Sequence, residues 1–232
     1  MRTTGDVYLW PAAAERKLRM AYQAGLPAYL YGVTGVGKTS LIRHFLEKKE
    51  YFYVSALNTT PDDLESEKIT APVIVLDDLY AISDIRLKDA YYQKIQEWME
   101  RNDLWVVLIS RAPFPAWLLS LRMKYSFVMI GEEDFCLTRE QQDEYLERYG
   151  LQVSEEQLEK AWAVGRGNPM SLRIFVMENG NLEATMRKGA WFNLFCLDIC
   201  MAGKSGMEFA WELRSWDERA GVFFITTAAT HI

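Results

Sequence analysis

Apolar residues are distributed in two textures along this chain. From Ala28 to Ile130, short continuous apolar runs alternate with stretches whose apolar positions recur at helical spacing. Ala28-Tyr29-Leu30-Tyr31, Tyr51-Phe52-Tyr53-Val54, Pro72-Val73-Ile74-Val75-Leu76, Leu104-Trp105-Val106-Val107-Leu108-Ile109 and Phe127-Val128-Met129-Ile130 read as five strands. Runs such as the third and fourth, apolar at every position, leave no polar face for water, so helices must cover both sides of the sheet. Ser40 to Leu46 and Leu87 to Arg101 supply two of those helices. Strands and helices in alternation predict a three-layer α/β fold, its parallel strands joined by right-handed crossovers.

Beyond Gly131 the pattern changes to short helices with marked starts. Thr138-Arg139-Glu140-Gln141 and Ser154-Glu155-Glu156-Gln157 each place a hydroxyl three residues before an amide, the capping-box arrangement of a helix N-terminus. A small helical subdomain over 132–180 follows, closed by the turn Asn179-Gly180-Asn181, and 1–131 forms the core domain before it. Residues 181–232 are poorly defined. Phe223-Phe224-Ile225-Thr226-Thr227 reads as a strand without an evident partner.

The first predicted strand runs into Gly32-Val33-Thr34-Gly35-Val36-Gly37-Lys38-Thr39, and Ser40 opens the helix behind it. Strand, glycine-rich loop and helix together make a P-loop. Glycines let backbone N–H groups approach a triphosphate at a helix N-terminus, the lysine reaches the β- and γ-phosphates, and the threonine hydroxyl ligates Mg²⁺. ATP or ADP with Mg²⁺ is the expected cofactor. A tight strand-to-helix turn explains a glycine or two but not Lys38 and Thr39 in register.

Val73-Ile74-Val75-Leu76-Asp77-Asp78 is an apolar strand ending in two carboxylates, a Walker B pattern. There Asp77 would hold the Mg²⁺ shell, and Asp78 would orient or deprotonate the attacking water. The other reading is that the pair caps the next helix. With Asp rather than Glu at the base position, hydrolysis is expected to be slow. Ser110-Arg111 follows the fourth strand, where Arg111 could sense the γ-phosphate or be a surface arginine at a loop start. Gly167-Asn168-Pro169 is either a helix boundary or part of the site. Arg122 and Arg166 are the further arginines to test as phosphate sensors.

With 232 residues there is room for one such core plus a smaller module, and 50% hydrophobic against 25% charged residues makes it a globular chain. A net charge of −6 without a Lys/Arg cluster argues against broad capture of nucleic acid. Cys136, Cys196 and Cys200 have only His44 and His231 as company, which suits free buried thiols better than a zinc site. No signal stretch or membrane-length apolar run is present, so a cytoplasmic location without membrane association is expected. Gly203-Lys204-Ser205 imitates the end of a P-loop, but Asp198 stands where its leading glycine is needed.

From residue 26 to about 180 the chain resembles the STAND class of signal-transduction P-loop ATPases, an ASCE/AAA+-like group. Within it the likeness is to the nucleotide-binding region of MalT-like, LuxR-family transcriptional regulators. It is carried by Gly32 to Ser40, by Val75-Leu76-Asp77-Asp78-Leu79 and by Leu108-Ile109-Ser110-Arg111-Ala112-Pro113. It continues through Phe135-Cys136-Leu137-Thr138-Arg139-Glu140-Gln141, Gly150-Leu151-Gln152-Val153-Ser154 and Gly165-Arg166-Gly167-Asn168-Pro169-Met170-Ser171-Leu172. The resemblance implies an ATP-operated switch, closed with ADP, open and self-associating with inducer and ATP, in which slow hydrolysis resets the state. Gly167 and Pro169 match the GxP motif of the class, whose proline lies near the adenine. Regulators of this class carry a helical-repeat sensor and a DNA-binding helix-turn-helix. Neither is visible here, and the likeness stops near residue 188, which makes a truncated or frameshifted product the expectation. Two alternatives stand beside the switch: an AAA+-like loader or partner-stimulated ATPase, and a remnant without output.

Overall fold

The computed structural model describes residues 8–65, 69–181, 184, 194–198 and 221–225. They fall into two compact units, one reaching Tyr145 and including Gly167–Pro169, the other formed by Leu146–Arg166 and the residues from Met170 onward.

The first unit is built on five parallel strands: β1 (Ala28–Tyr31), β2 (Phe52–Ser55), β3 (Val73–Asp77), β4 (Trp105–Ser110) and β5 (Val128–Ile130). Their order across the sheet is β2-β3-β4-β1-β5. Every residue of β3 and β4 is buried, and alternation along each strand sends its side chains to two separate cores. On one face, Leu30, Val75, Val107 and Ile109 pack against Leu18 and Ala21 of α1 (Ala12–Ala24) and Leu41, Ile42 and Phe45 of α2 (Lys38–Phe45). On the other, Tyr29, Ile74, Leu76, Val106 and Leu108 meet Leu64 of α3 (Pro61–Glu65), Tyr91, Ile95 and Trp98 of α4 (Ile85–Glu100) and Leu121 of α5 (Leu119–Lys124). The three-layer parallel α/β architecture expected from the apolar runs is the one observed.

Local differences have local causes. Helix α1, which the apolar pattern does not announce, uses Ala14, Leu18 and Ala21 as its buried stripe and ends at Gly25 in the left-handed region (φ 64°); two of its three core contacts are alanines, a weak periodic signal. Helix α4 starts earlier than Leu87, because the Asp84 carboxylate accepts the N–H groups of Arg86 and Leu87. The second strand lies one residue later than expected, so it ends at Ser55. The capping box at Thr138 forms: Thr138 N–H donates to Gln141 Oε1 (3.1 Å) and Gln141 N–H to Thr138 Oγ1 (3.3 Å), opening α6 (Arg139–Arg148).

In the second unit Ser154 caps α7 (Glu155–Gly165) by the same reciprocal pair, at 2.9 and 3.3 Å. Helix α8 (Pro169–Met177) belongs to this unit from Met170 onward. The turn at Asn179 and Gly180 adopts positive φ and lies against Leu151 and Val153. Strand β6 (Leu194–Asp198) pairs in parallel with β7 (Gly221–Ile225), Cys196 opposite Phe223. The segment from Phe223 thus has a partner after all, about two dozen residues upstream, which local periodicity could not reveal. Cys200, the Gly203-Lys204-Ser205 segment and His231 lie outside the described residues.

Candidate functional site

All five strands of the first unit run the same way, and the P-loop, the Asp77-Asp78 pair and Arg111 all lie at or directly after carboxyl ends of these strands. β1 sits between β4 and β5 rather than beside β2. That is the kind of switch point where α/β sheets open a crevice for a ligand. The P-loop leaves β1 there and becomes α2, whose N-cap, Gly37, provides no side-chain cap. A helix start without a side-chain cap leaves its first N–H groups for an outside acceptor, the feature that lets such a terminus take an anion.

Lys38 is buried at 8% exposure, and its ammonium donates to the carbonyls of Gly32 (2.7 Å) and Val33 (2.9 Å). Burial holds its pKa below the ordinary lysine range; Asp77 pulls it back up, Arg111 lowers it further, and Glu132 and Asp78 raise it. The side chain therefore lies within the field of both carboxylates of the Asp77-Asp78 pair and of the arginine after β4. Val33 and Thr34 are exposed, Val36 is packed into the core, and Ser40 lies on the exposed side of α2.

Asp77 ends β3 at 6% exposure. Its Oδ2 accepts from the Thr39 hydroxyl at 2.9 Å, and its Oδ1 from the Asp78 N–H at 2.7 Å. Walker A threonine and Walker B carboxylate are thus in direct contact, although 38 residues apart in sequence. Asp78 sits in the left-handed region (φ 60°) and starts the short helical turn Leu79–Ala81 without capping it. Its carboxylate instead accepts from Ser55 Oγ at 2.7 Å. The helix-cap alternative for the pair fails here, because the next helix is capped by Asp84.

Two β2 residues, both overlooked in the sequence, complete this cluster: Ser55, and Tyr53, whose phenol donates to Asp77 Oδ2 at 2.7 Å. Burial first, then the bond to Asp77, raises the Tyr53 pKa above the ordinary phenol range, so it stays a proton donor. Their only signal was spacing: Tyr53 and Ser55 are two apart on a strand, hence on one face.

Arg111 leaves β4 exposed, with its guanidinium 4.2 Å from the Tyr80 ring centroid. Its loop is anchored from behind by the Tyr29 hydroxyl, which donates to the Ala112 carbonyl at 3.0 Å. Arg122 lies over the Phe114 ring at 5.5 Å. Arg166 caps α7 in the second unit, in the left-handed region.

A further contributor comes from the end of β5. The Val33 N–H donates to Glu132 Oε2 at 3.2 Å, and a Cβ at Gly32 would come within 3.1 Å of Glu132 Cβ. Glycine is needed at that first P-loop position for this approach. The segment Glu132–Phe135 then passes to Leu137, whose N–H donates to the Gly167 carbonyl at 2.8 Å. Gly167 has φ 77°, and a Cβ there would collide with the Leu137 carbonyl oxygen. Pro169 occupies the first helical position of α8, where its missing N–H costs nothing. The helix-boundary reading of Gly167-Asn168-Pro169 is correct as local structure, and the same three residues cluster with the P-loop unit.

Solved structures share the architecture. AMPPCP-bound DnaA from Aquifex aeolicus matches 78% of this chain and 66% of its own length, with a TM-score of 0.54 and 16% identity. The Walker-type ATPase of Pyrococcus abyssi matches 78% of this chain and 71% of its own, with a TM-score of 0.57 and 15% identity. Domain III of the Thermotoga maritima replication initiation protein DnaA matches 75% and 88%, with a TM-score of 0.50 and 16% identity. The fold is the AAA+-like P-loop ATPase fold.

No family model and no curated relative matches the sequence. The chain spans about two thirds of the length of the DnaA structure from Aquifex aeolicus. Among the described residues no helix is long and apolar enough to cross a membrane. None of them form a group of three or more His, Cys, Asp or Glu side chains able to hold a metal. The Thr39 hydroxyl and the Asp77 carboxylate, 2.9 Å apart, are a donor set of the kind that fits Mg²⁺, which takes one or two protein oxygens and completes its shell with phosphates and water.

Proposed function

We propose that this chain is the ATP- and ADP-binding switch module of a STAND-class signal-transduction ATPase, of the type found in MalT-like, LuxR-family transcriptional regulators. The reading is supported by one observation above others. Thr39, Asp77, Tyr53, Asp78 and Ser55 form a continuous hydrogen-bonded cluster beside Lys38, yet the residue in the base position is a short Asp tied to a serine. Such a site grips a magnesium nucleotide better than it turns one over.

In this reading the loop amides from Gly32 to Gly37 and Lys38 bind the phosphates, and Thr39 and Asp77 hold Mg²⁺. The metal neutralises charge on the β- and γ-phosphates. Asp78 orients the attacking water, Arg111 leaves Tyr80 to meet the γ-phosphate, and Pro169 lies near the adenine. Because Asp78 is shorter than glutamate and shared with Ser55, hydrolysis is slow and resets the switch. The module works in the cytoplasm and self-associates in the ATP state.

Mass spectrometry of nucleotide retained through purification, followed by single-turnover hydrolysis, tests the proposal. ADP bound in near-stoichiometric amount, with turnover limited by its release, is the expected result. Sustained multiple turnover would replace the switch by a partner-stimulated ATPase, and failure to bind either nucleotide would leave only a folded remnant.

A further inference from the structure

The edge strand β2 contributes a residue that neither nucleotide motif contains. Tyr53 lies on the outermost strand of the sheet, and its phenol reaches inward to Asp77 Oδ2, the oxygen that also accepts from Thr39. With the Asp78 N–H on Oδ1, both oxygens of the Asp77 carboxylate are held. Rotation about the Cβ–Cγ bond turns the plane of an aspartate carboxylate, and donors on both oxygens restrain it.

The ring is held from its other side too. Arg43 places its guanidinium 5.8 Å from the Tyr53 centroid. Thr39 and Arg43 are four apart on α2, hence on one face of the helix. That face therefore presents the Mg²⁺-binding hydroxyl and the cation on which Tyr53 rests. Register adds the remaining constraint: Tyr53 pairs with Val75 and Ser55 with Asp77, so the phenol has to bend over the end of β3 to make its bond.

We infer that Tyr53 is a positioning residue for magnesium: its hydroxyl fixes the Asp77 carboxylate in the orientation that Mg²⁺ and its water shell require. This rests on the reading of the site as a magnesium-nucleotide site. Two effects of the bond oppose each other. Sharing Oδ2 with a phenol draws off some donor strength, whereas orientation removes the cost of ordering the carboxylate when the metal arrives. Orientation wins, because loss of an outer-shell partner that fixes a metal ligand typically costs about 10- to 100-fold in metal affinity, so the net effect of such bonds favours the metal.

The test is Tyr53→Phe in the full chain, which keeps the ring on Arg43 and removes only the hydroxyl. A fluorescent ADP analogue is titrated in EDTA, and Mg²⁺ is then titrated at fixed analogue, with melting temperature measured on the nucleotide-free protein. The expected result is an Mg²⁺ midpoint raised by about tenfold, the scale on which outer-shell partners act, with affinity in EDTA and melting temperature unchanged. An unmoved or lowered midpoint overturns the inference. So does an equal loss of affinity with and without Mg²⁺, which marks a merely structural tyrosine. A parent protein whose analogue binding ignores Mg²⁺ instead removes the assigned role of Asp77, and this inference with it.

Discussion

Replacing Lys38 by methionine separates nucleotide grip from fold. The side chain is buried, its pKa is lowered chiefly by that burial, and its present partners are two carbonyls of its own loop. Methionine keeps the aliphatic stem, so no cavity opens. Loss of charge-assisted bonds is offset by relief of the desolvation, and nucleotide-free stability should change by less than about 1 kcal/mol. Binding should suffer far more: a charged hydrogen bond to phosphate is worth about 1.5–3 kcal/mol, or about 10- to 150-fold in Kd. At nucleotide equal to 100 times the parent Kd, linkage stabilises the parent by about 2.7 kcal/mol. A variant bound about 100-fold more weakly gains about 0.4 kcal/mol at the same concentration. For a chain of this size those figures correspond to melting shifts of about 5–11 °C and about 1–2 °C. Differential scanning fluorimetry with and without Mg-ADP reads both. A variant stabilised by nucleotide as much as the parent would refute the role of Lys38. The pH dependence has a definite sign: a lysine with a lowered folded pKa penalises the native state while charged. The penalty present at neutral pH is relieved as pH rises from that lowered value towards the ordinary 10.5.

Asp77→Asn keeps shape but not charge, and should abolish the Mg²⁺-dependent part of nucleotide affinity while leaving the part measured in EDTA; equilibrium titration in the two buffers decides. Ser55→Ala frees the Asp78 carboxylate from its 2.7 Å bond and should raise the single-turnover hydrolysis rate several-fold at constant nucleotide affinity. Gly167→Ala forces a side chain into positive φ and onto the Leu137 carbonyl. It should cost at least about 2 kcal/mol of stability in denaturant unfolding, whereas Gly150→Ala, with open space around it at a similar φ, should cost less.

Much of this protein is legible in one dimension because its signals are local. A strand buried on both faces is apolar at every position, so β3 and β4 announce a covered sheet. The P-loop pattern places glycines, lysine and threonine within eight residues, so Gly32 to Thr39 is contiguous and legible. The capping boxes at Thr138 and Ser154 are equally short-range. Helix α1 shows the limit, since a stripe made largely of alanine buries well but barely stands out from its neighbours.

Strand order belongs to the tertiary structure. No local pattern states that β4 inserts between β1 and β3, yet that insertion fixes where the arginine after β4 and the carboxylates after β3 stand relative to the P-loop. Contacts across distant segments were equally silent. Tyr53 and Ser55 read as ordinary strand residues until pairing with β3 brought them to Asp77 and Asp78. Glu132 was one acid among several until β5 carried it to the Val33 N–H. Sequence by itself determined the layers and the P-loop, whose requirements lie within a turn or a strand. Packing decided which side chains orient that loop's partners, because hydrogen bonds between strands depend on register and order rather than on neighbouring residues.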